Sequence, residues 1–343
     1  MQVSVIIPVY NAAKYVRSAV ESALAQPETA EVILIEDNSP DDSLQVCELL
    51  ASEYDLVRLY RHPDGGNHGA GASRNLGIRM SRFPYIAFLD ADDYFLPERF
   101  TVPRQIFAER ADVDGVYEAI STVFESEELR QQWIAGGNTR FAAPPGSPEW
   151  MDTFTQRVEP EDLFEAYVTG RYGSFSTIGL TVRREIFDKA GLFDERLRLH
   201  QDKAMWIKMA AKARLVPGRL DTPVSMRRVH QANRLSPYWP PKPELVKTRT
   251  LMWRTLWPWG RKNLTRKQQG LILNAYMAQV MQPYRGELSL RRNLRVFWRL
   301  MRLAAEHPTV MSLPEFWKTV IQQLRVRRLI VQKIAFWRRW RAA

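Results

Sequence analysis

The sequence predicts an α/β fold, a doubly wound and mainly parallel sheet flanked by helices, followed by an α-helical carboxyl-terminal region. Three observations predict it. Short apolar runs alternate with stretches of helical periodicity through the first 90 residues. Polar, glycine-rich or acidic turns follow each run, so a sheet with right-handed crossovers gathers them on one edge. Beyond Pro237 the composition changes to interleaved Trp, Arg and Lys.

Taken in order, residues 3–9 (VSVIIPV) read as a buried strand, ended by Pro8 and the turn former Asn11, and residues 13–26 as a helix with Val16, Ala19, Val20, Ala23 and Leu24 on one face. Residues 31–36 (EVILIE) form a second strand, and the polar turn Glu36 to Pro40 offers an N-cap to a helix over 42–51. Residues 56–61 make a third strand. The segment DGGNHGAGASRNLG and a helix through Ser81 follow it. Its small residues would let backbone approach a ligand, and Arg74 carries a planar fork suited to phosphate or base oxygens. It is neither a Walker A loop nor a GxGxxG turn, which disfavours a P-loop or Rossmann dinucleotide site.

Residues 85–90 give a fourth strand, running into Asp90, Asp92 and Asp93. Three carboxylates within four residues repel one another unless a cation or water separates them. Hard divalent cations prefer such oxygen ligands and bridge them to phosphates. A solvated acidic turn is the plain alternative. Further on, 114–124 reads as one strand, 125–160 as loops and short helices, and 174–182 as another strand. Asp202 stands just before an amphipathic helix bearing Met205, Trp206 and Met209.

The motifs SVIIPVYN, EVILIEDNS, GNHGAGASRNLGI and YIAFLDADD, in this order, resemble those of the family 2 glycosyltransferases, which have a GT-A fold with a mixed sheet. The resemblance is close over about the first 100 residues and extends to 236 with the later segments. It implies inverting transfer of a hexosyl or N-acetylhexosaminyl group from a nucleotide-sugar, a UDP-sugar foremost, to a glycan or lipid-linked acceptor in surface polysaccharide synthesis. Pro8, Tyr10 and Asn11 would line the nucleotide pocket, Asp37 would hydrogen-bond the base, Arg74 would meet base or phosphate, and Asp90 would face the nucleoside. Asp92 would bind Mn²⁺ or Mg²⁺, with His230 of the Arg-x-His segment completing the metal shell or touching the diphosphate. Arg234 and Ser236 would join a closing loop. Where the family has Glu-Asp this chain has Gln201-Asp202, so the general base is Asp202. Glu36 replaces a common aspartate. Asp93 is left between acceptor contact and helix cap.

The expected organisation is a catalytic domain over 1–236, with a nucleotide-sugar half (1–100) and an acceptor half (101–236), and a basic helical region over 237–343. That region holds 22 of the 49 basic residues, 4 of the 38 acidic ones and 8 of the 11 tryptophans. Helices are expected at 243–258, 264–282, 288–305 and 313–341. Trp and Arg beside apolar faces suit helices lying on an anionic membrane surface. Packing of those tryptophans on the catalytic body is the alternative, and nucleic acid is disfavoured. Met1-Gln2 run straight into an apolar strand, and no run reaches a bilayer-spanning length. The expectation is a cytoplasmic protein, peripheral on the inner face of the plasma membrane, with a homo-oligomer left open. The lone Cys47 excludes an internal disulfide and is expected in the core. Two rivals stand: a degenerate membrane-bound scaffold or nucleotide-sugar binding protein, and a sugar-phosphate nucleotidyltransferase. The latter would want a basic, glycine-rich loop where this chain has VYNAAKY.

Overall fold

A computed structural model describes residues 1–231, 233, 243–281 and 290–324. The chain divides into two compact units, Met1–Thr248 and Arg249–Ala343. The composition break at 237 therefore precedes the structural boundary, which falls inside one continuous helix.

The first half of unit one follows the apolar alternation. The order is β1 (Val3–Val9), α1 (Val16–Leu24), β2 (Thr29–Glu36), α2 (Ser43–Glu53), β3 (Val57–Arg61), α3 (Ala70–Met80) and β4 (Tyr85–Phe88). Strands β1 and β2 are buried almost throughout because helices cover both faces of the sheet. Cys47 on α2 lies in this core, and burial pushes its thiol up to about 12. The chain continues through β5 (Tyr94–Phe95), α4 (Thr101–Glu109), β6 (Gly115–Tyr117), β7 (Ser121–Phe124), α5 (Glu127–Ala135), α6 (Pro160–Thr169), β8 (Leu180–Arg183), α7 (Ile186–Ala190), α8 (Gln201–Lys212), β9 (Leu215–Pro217) and β10 (Ser225–Val229).

Seven strands form a mixed sheet in the order β3-β2-β1-β4-β8-β6-β9. β1 pairs in parallel with both β2 and β4, and β8 runs antiparallel to β4 and β6. The strand order reverses between β1 and β4. That is the switch point where open sheets leave a crevice beyond the carboxyl ends of the strands. A second sheet, β5-β10-β7, lies beyond the acidic turn.

Two sequence expectations need correction. Residues 114–124 are two strands in different sheets, not one. Glu118 breaks the run: it is fully buried, and its Oε2 accepts from Arg99 Nη1 at 2.9 Å. The next residues leave the first sheet, with Ala119 N–H donating to the Arg219 carbonyl. Residues 174–182 are a strand only from Leu180. Thr177–Gly179 form a 3₁₀ turn, and a Cβ on Gly179 would sit 2.4 Å from the Glu118 carbonyl oxygen. Phe175 and Ile178 are buried there without strand pairing, apolar positions that the sequence alone assigns to a strand.

Unit two is helical: α9 (Pro243–Asn263, beginning in unit one), α10 (Arg266–Met281), α11 (Leu290–Glu306), a 3₁₀ turn over Pro308–Ser312 and α12 (Pro314–Leu324). α10 and α12 approach closely at Gly270, where a Cβ would lie 3.0 Å from Glu315 Cδ. No helix among the described residues is long and apolar enough to cross a membrane. Residues 234–242, with the expected loop residues Arg234 and Ser236, lie outside the described residues, as does the end of the expected 313–341 helix.

Gly77 sets how closely α3 packs on β1. An alanine Cβ there would fall 2.4 Å from Ile6 Cγ2. Although alanine is worth about 1 kcal/mol over glycine inside a helix, Gly77→Ala is expected to lower the unfolding free energy by about 1–3 kcal/mol through overpacking. Urea unfolding checks it. An unchanged midpoint would contradict this packing.

Candidate active site

The turn after β1 is held from below by the turn after β2. Asn11 N–H donates to Ser39 Oγ (3.1 Å), Ala12 N–H to Ser43 Oγ (2.9 Å) and Ala13 N–H to Asp41 Oδ2 (3.0 Å). Asn11 and Asn38 take positive φ, a conformation asparagine tolerates. The turn's hydrogen bonds are therefore met by its neighbour, and Pro8, Tyr10 and Asn11 are left along the crevice. Asp41 also accepts from Ser43, while Asp42, at the cap position of α2, makes no side-chain capping bond.

Glu36 and Asp37 are both buried, and each is committed to a loop. Glu36 accepts from Ser39 N–H (2.6 Å) and Arg61 Nε (3.0 Å). The two Asp37 carboxylate oxygens accept from His68 N–H and Gly69 N–H, each at 2.7 Å. Its carbonyl accepts from Asn67 Nδ2 at 2.7 Å. Asp37 thus ties β2 to the glycine-rich segment. The glycines there make room chiefly for protein: a Cβ on Gly69 would lie 2.7 Å from Arg198 Nη1, and one on Gly71 would lie 3.2 Å from Gln201 Cγ.

The three carboxylates after β4 go to three different partners. Asp90 Oδ1 accepts from Arg74 Nη2 at 2.6 Å. Arg74 is 3% exposed, lies 5.7 Å from the Phe193 ring, and leaves Nε and Nη1 without hydrogen-bond partners. Asp92 Oδ2 meets His230 Nε2 at 3.0 Å and accepts from Asn233 Nδ2 at 3.2 Å. Asp93 Oδ1 accepts from the Arg228 N–H at 2.8 Å, and Arg228 Nε returns a bond to the Asp92 carbonyl at 3.1 Å. The residue left undecided by its sequence therefore fastens β10 to the acidic turn, and a strand, not a helix, follows it. Burial, followed for Asp93 by repulsion from Asp92 and Asp90, raises the carboxyl pKa of Asp90 and Asp93.

Asp202 is the second residue of α8, inside its first turn and not ahead of the helix as expected. His200, with φ 63°, takes the cap position. Asp202 Oδ1 accepts from Lys203 N–H at 2.6 Å. Trp206, one turn on, is buried against Phe88, Phe175 and Phe193 and anchors α8 beneath β4. His230 is buried with its ring 4.6 Å from that of Tyr15.

One cavity of about 400 Å³ is lined by all nine residues singled out from the sequence. Pro8, Tyr10, Asn11, Asp37, Arg74 and Asp90 line it together with Asp92, Asp202 and His230. Sequence reasoning missed Trp133, Arg198, Arg227, Arg228 and Asn233 on the same wall. Only Arg228 had a signal, as the first residue of the Arg-x-His segment. Its guanidinium lies 5.2 Å from the Tyr15 ring and 5.4 Å from the Tyr94 ring. Arg227 Nη1 pairs with Asp152 Oδ2 at 2.8 Å, and Asp152 also holds Arg140.

Asp92 and His230 are an oxygen and a nitrogen donor already in contact, and among the described residues no third Asp, Glu, His or Cys completes a group with them. Such a pair fits a divalent cation that takes the rest of its shell from substrate oxygens and water.

Residues 4–168 match the model of glycosyl transferase family 2. Among curated relatives, the succinoglycan biosynthesis protein ExoU of Rhizobium meliloti is 31% identical over 211 residues, which is 61% of this chain and 57% of that one. The uncharacterized glycosyltransferase YibD of Escherichia coli is 41% identical over 100 residues, 29% of this chain and 28% of that one. The chain spans little more than half the length, or less, of these relatives. Among solved structures, residues 1–349 of S. aureus TarS in complex with UDP-GlcNAc superpose with a TM-score of 0.61 at 17% identity, covering 95% of this chain and 90% of that one. Residues 4–168 carry a glycosyl transferase family 2 domain, built on a GT-A fold.

Proposed function

We propose that this protein is a metal-dependent, inverting glycosyltransferase that moves a sugar from a nucleotide-sugar to a hydroxyl of a glycan or lipid-linked acceptor. The observation that carries the reading is one cavity at the β1/β4 switch point, lined together by Asp92, His230, Arg74, Arg228 and Asp202. Asp37, Arg74 and Asp90 sit on the nucleotide side, as do Pro8, Tyr10 and Asn11. A UDP-sugar is the preferred donor, in keeping with the UDP and UDP-GlcNAc complexes of TarS. The name of the ExoU relative favours surface polysaccharide as the product class.

Asp202 takes the proton of the acceptor hydroxyl. The freed oxygen attacks the anomeric carbon on the face opposite the nucleotide. The bond from that carbon to the diphosphate oxygen breaks, the configuration inverts, and a nucleoside diphosphate leaves. Asp202 stands in the first turn of α8 and lines the cavity, within reach of a bound acceptor. Mn²⁺ or Mg²⁺ held by Asp92 and His230 would offset the charge of the departing diphosphate. The Arg228 guanidinium, close to two tyrosine rings and without a carboxylate partner among the described residues, is set to meet the same charge.

Nucleotide-sugar turnover by the full chain with Mn²⁺ tests the assignment. Asp202→Asn is expected to lower kcat about 10²–10⁴-fold with little change in donor KM. Asp92→Ala is expected to abolish metal-stimulated turnover. Wild-type rates in Asp202→Asn would remove Asp202 from the chemistry.

The second unit is proposed to hold the protein on the cytoplasmic face of the plasma membrane. Trp298 (68% exposed) and Ile321 (56%) face solvent with Trp317. Arg295, Arg299, Arg302 and Lys318 are exposed on the same two helices. Trp317 Nε1 donates to the Met311 carbonyl at 2.8 Å, so its ring lies along the surface. Tryptophan and basic residues together suit the interface of an anionic leaflet, where each basic charge contributes about 1 kcal/mol. Flotation with phosphatidylglycerol vesicles is expected to carry the wild type at low salt and to lose most of the Trp298→Ala/Trp317→Ala/Ile321→Ala variant. Equal flotation of both would defeat this surface as the anchor.

A further inference from the structure

Arg198 has no role in the reading above, yet it sits where two parts of the site meet. It lies in the loop leading to α8, four residues before Asp202, and lines the cavity. Its Nη1 donates to Asn67 Oδ1 at 2.9 Å and its Nη2 to the Asn67 carbonyl at 3.0 Å. Both acceptors are neutral, and no carboxylate among the described residues pairs with this guanidinium. Its position depends on Gly69, since any side chain there would collide with Nη1. Directly beyond Gly69, Ala70 opens the 11-residue helix α3 on the cavity wall, and Gly69 brings no side-chain cap to that helix end. One turn into α3, Arg74 is 97% buried and holds Nε and Nη1 without partners.

A guanidinium without a counter-ion among the described residues and a buried arginine with two unmet donors line the same cavity. Both favour an anion. We propose that Arg198 binds the diphosphate of the nucleotide-sugar from the α8 side of the cavity, opposite Asp92 and His230. In doing so it joins the donor loop to the segment that carries Asp202. This inference rests on the nucleotide-sugar reading and names a further residue for it. Arg198 touches the leaving group, and through its bond to Asn67 it also positions the glycine-rich segment. The fork geometry matters: two N–H groups are spent on Asn67, and the outward edge of the guanidinium remains for phosphate oxygens.

Binding of UDP and of uridine to the full chain in Mn²⁺, by calorimetry, separates the roles. Arg198→Ala is expected to weaken UDP about 10–100-fold, the worth of one charge-assisted hydrogen bond, and to leave uridine unchanged. Arg198→Lys should restore part of the UDP affinity by returning the charge. Asn67→Ala removes one of the two bonds that hold Arg198, the bond to the backbone carbonyl staying, and leaves its charge, so it should cost less than about 5-fold. Equal weakening of UDP and uridine by Arg198→Ala, or an Asn67→Ala loss as large as that of Arg198→Ala, would make Arg198 a loop support only and overturn the proposal. Unchanged UDP binding in Arg198→Ala would overturn it as well. A wild type that binds UDP-glucose and UDP-GlcNAc no better than uridine would instead strike the nucleotide-sugar reading itself, and this inference with it. Thermal melts of each variant check that the fold is kept.

Discussion

Three carboxylates in four residues cannot sit side by side at a strand end without compensation, and most of unit one is arranged around that constraint. The structure solves it by dispersal. Asp90 is given to Arg74 on α3, Asp92 to His230 and Asn233 after β10, and Asp93 to a backbone N–H of β10. The assignments recruit α3 and the segment 228–233, 16 to 141 residues away in sequence. The small β5-β10-β7 sheet exists on the same terms. β10 is held by Asp93 through the Arg228 N–H and answers through Arg228 Nε to the Asp92 carbonyl. A second fixed point lies just beyond. Arg99, fully buried and about 5 Å from the Phe95 and Phe100 rings, meets Glu118 at the junction of the two sheets. Removing one partner of such a buried pair costs about 3–5 kcal/mol, because the other charge stays behind unpaired. The acidic turn is therefore braced on both sides before any ligand arrives.

The glycine-rich segment belongs to the same economy of space. Its sequence suggested a backbone that comes close to a ligand. In the structure Gly69 and Gly71 admit Arg198 and Gln201, and Gly77 admits Ile6. The segment packs against β1 at one end and against the approach to α8 at the other. Asp37 holds its middle through two backbone N–H groups. A path of short contacts thus runs from β2 through Asp37, Asn67 and Arg198 toward Asp202. The Asp37 end and the Asp202 end of the cavity share one neighbour.

Where local pattern and tertiary environment agree, the fold was legible. β1 through β4 are apolar runs covered on both faces, and the helices between them carry regular apolar stripes, so each was read within a few residues. Legibility failed where a buried charge or a crowded backbone overrides the pattern. Nothing in DGVYEAISTVF announces that Glu118 finds Arg99, and that pairing splits the run between two sheets. Nothing in SFSTIGLTV announces that Gly179 meets the Glu118 carbonyl. In the site, the residues with a local signature were found: the acidic turn, Arg74 beside glycines, Asp202 at a helix start, His230. Trp133, Arg198 and Arg227 were not found. Each is an ordinary residue in its own segment: Arg198 and Arg227 gain their places from partners far away in sequence, Asn67 and Asp152, and Trp133 from packing with Phe124 and Phe141. Asp93 could be placed only once β10 was seen against it.

The charge of the cavity follows from these pairings and bears on what it can hold. Five aspartates line it, and left bare they would repel a diphosphate. Asp37 is neutralised in effect by backbone donors, Asp90 by Arg74, and Asp93 by the Arg228 N–H together with its raised pKa, which favours the neutral acid. Asp92 remains with an imidazole and an amide, a combination that can exchange its hydrogen bonds for a cation. Against these stand two guanidinia, Arg198 and Arg228, that no carboxylate claims among the described residues. The wall that looks most acidic in sequence is therefore the one best compensated in space. Under the proposed function, an anion carrying its own divalent cation is the ligand that would pair these charges without leaving one buried and alone.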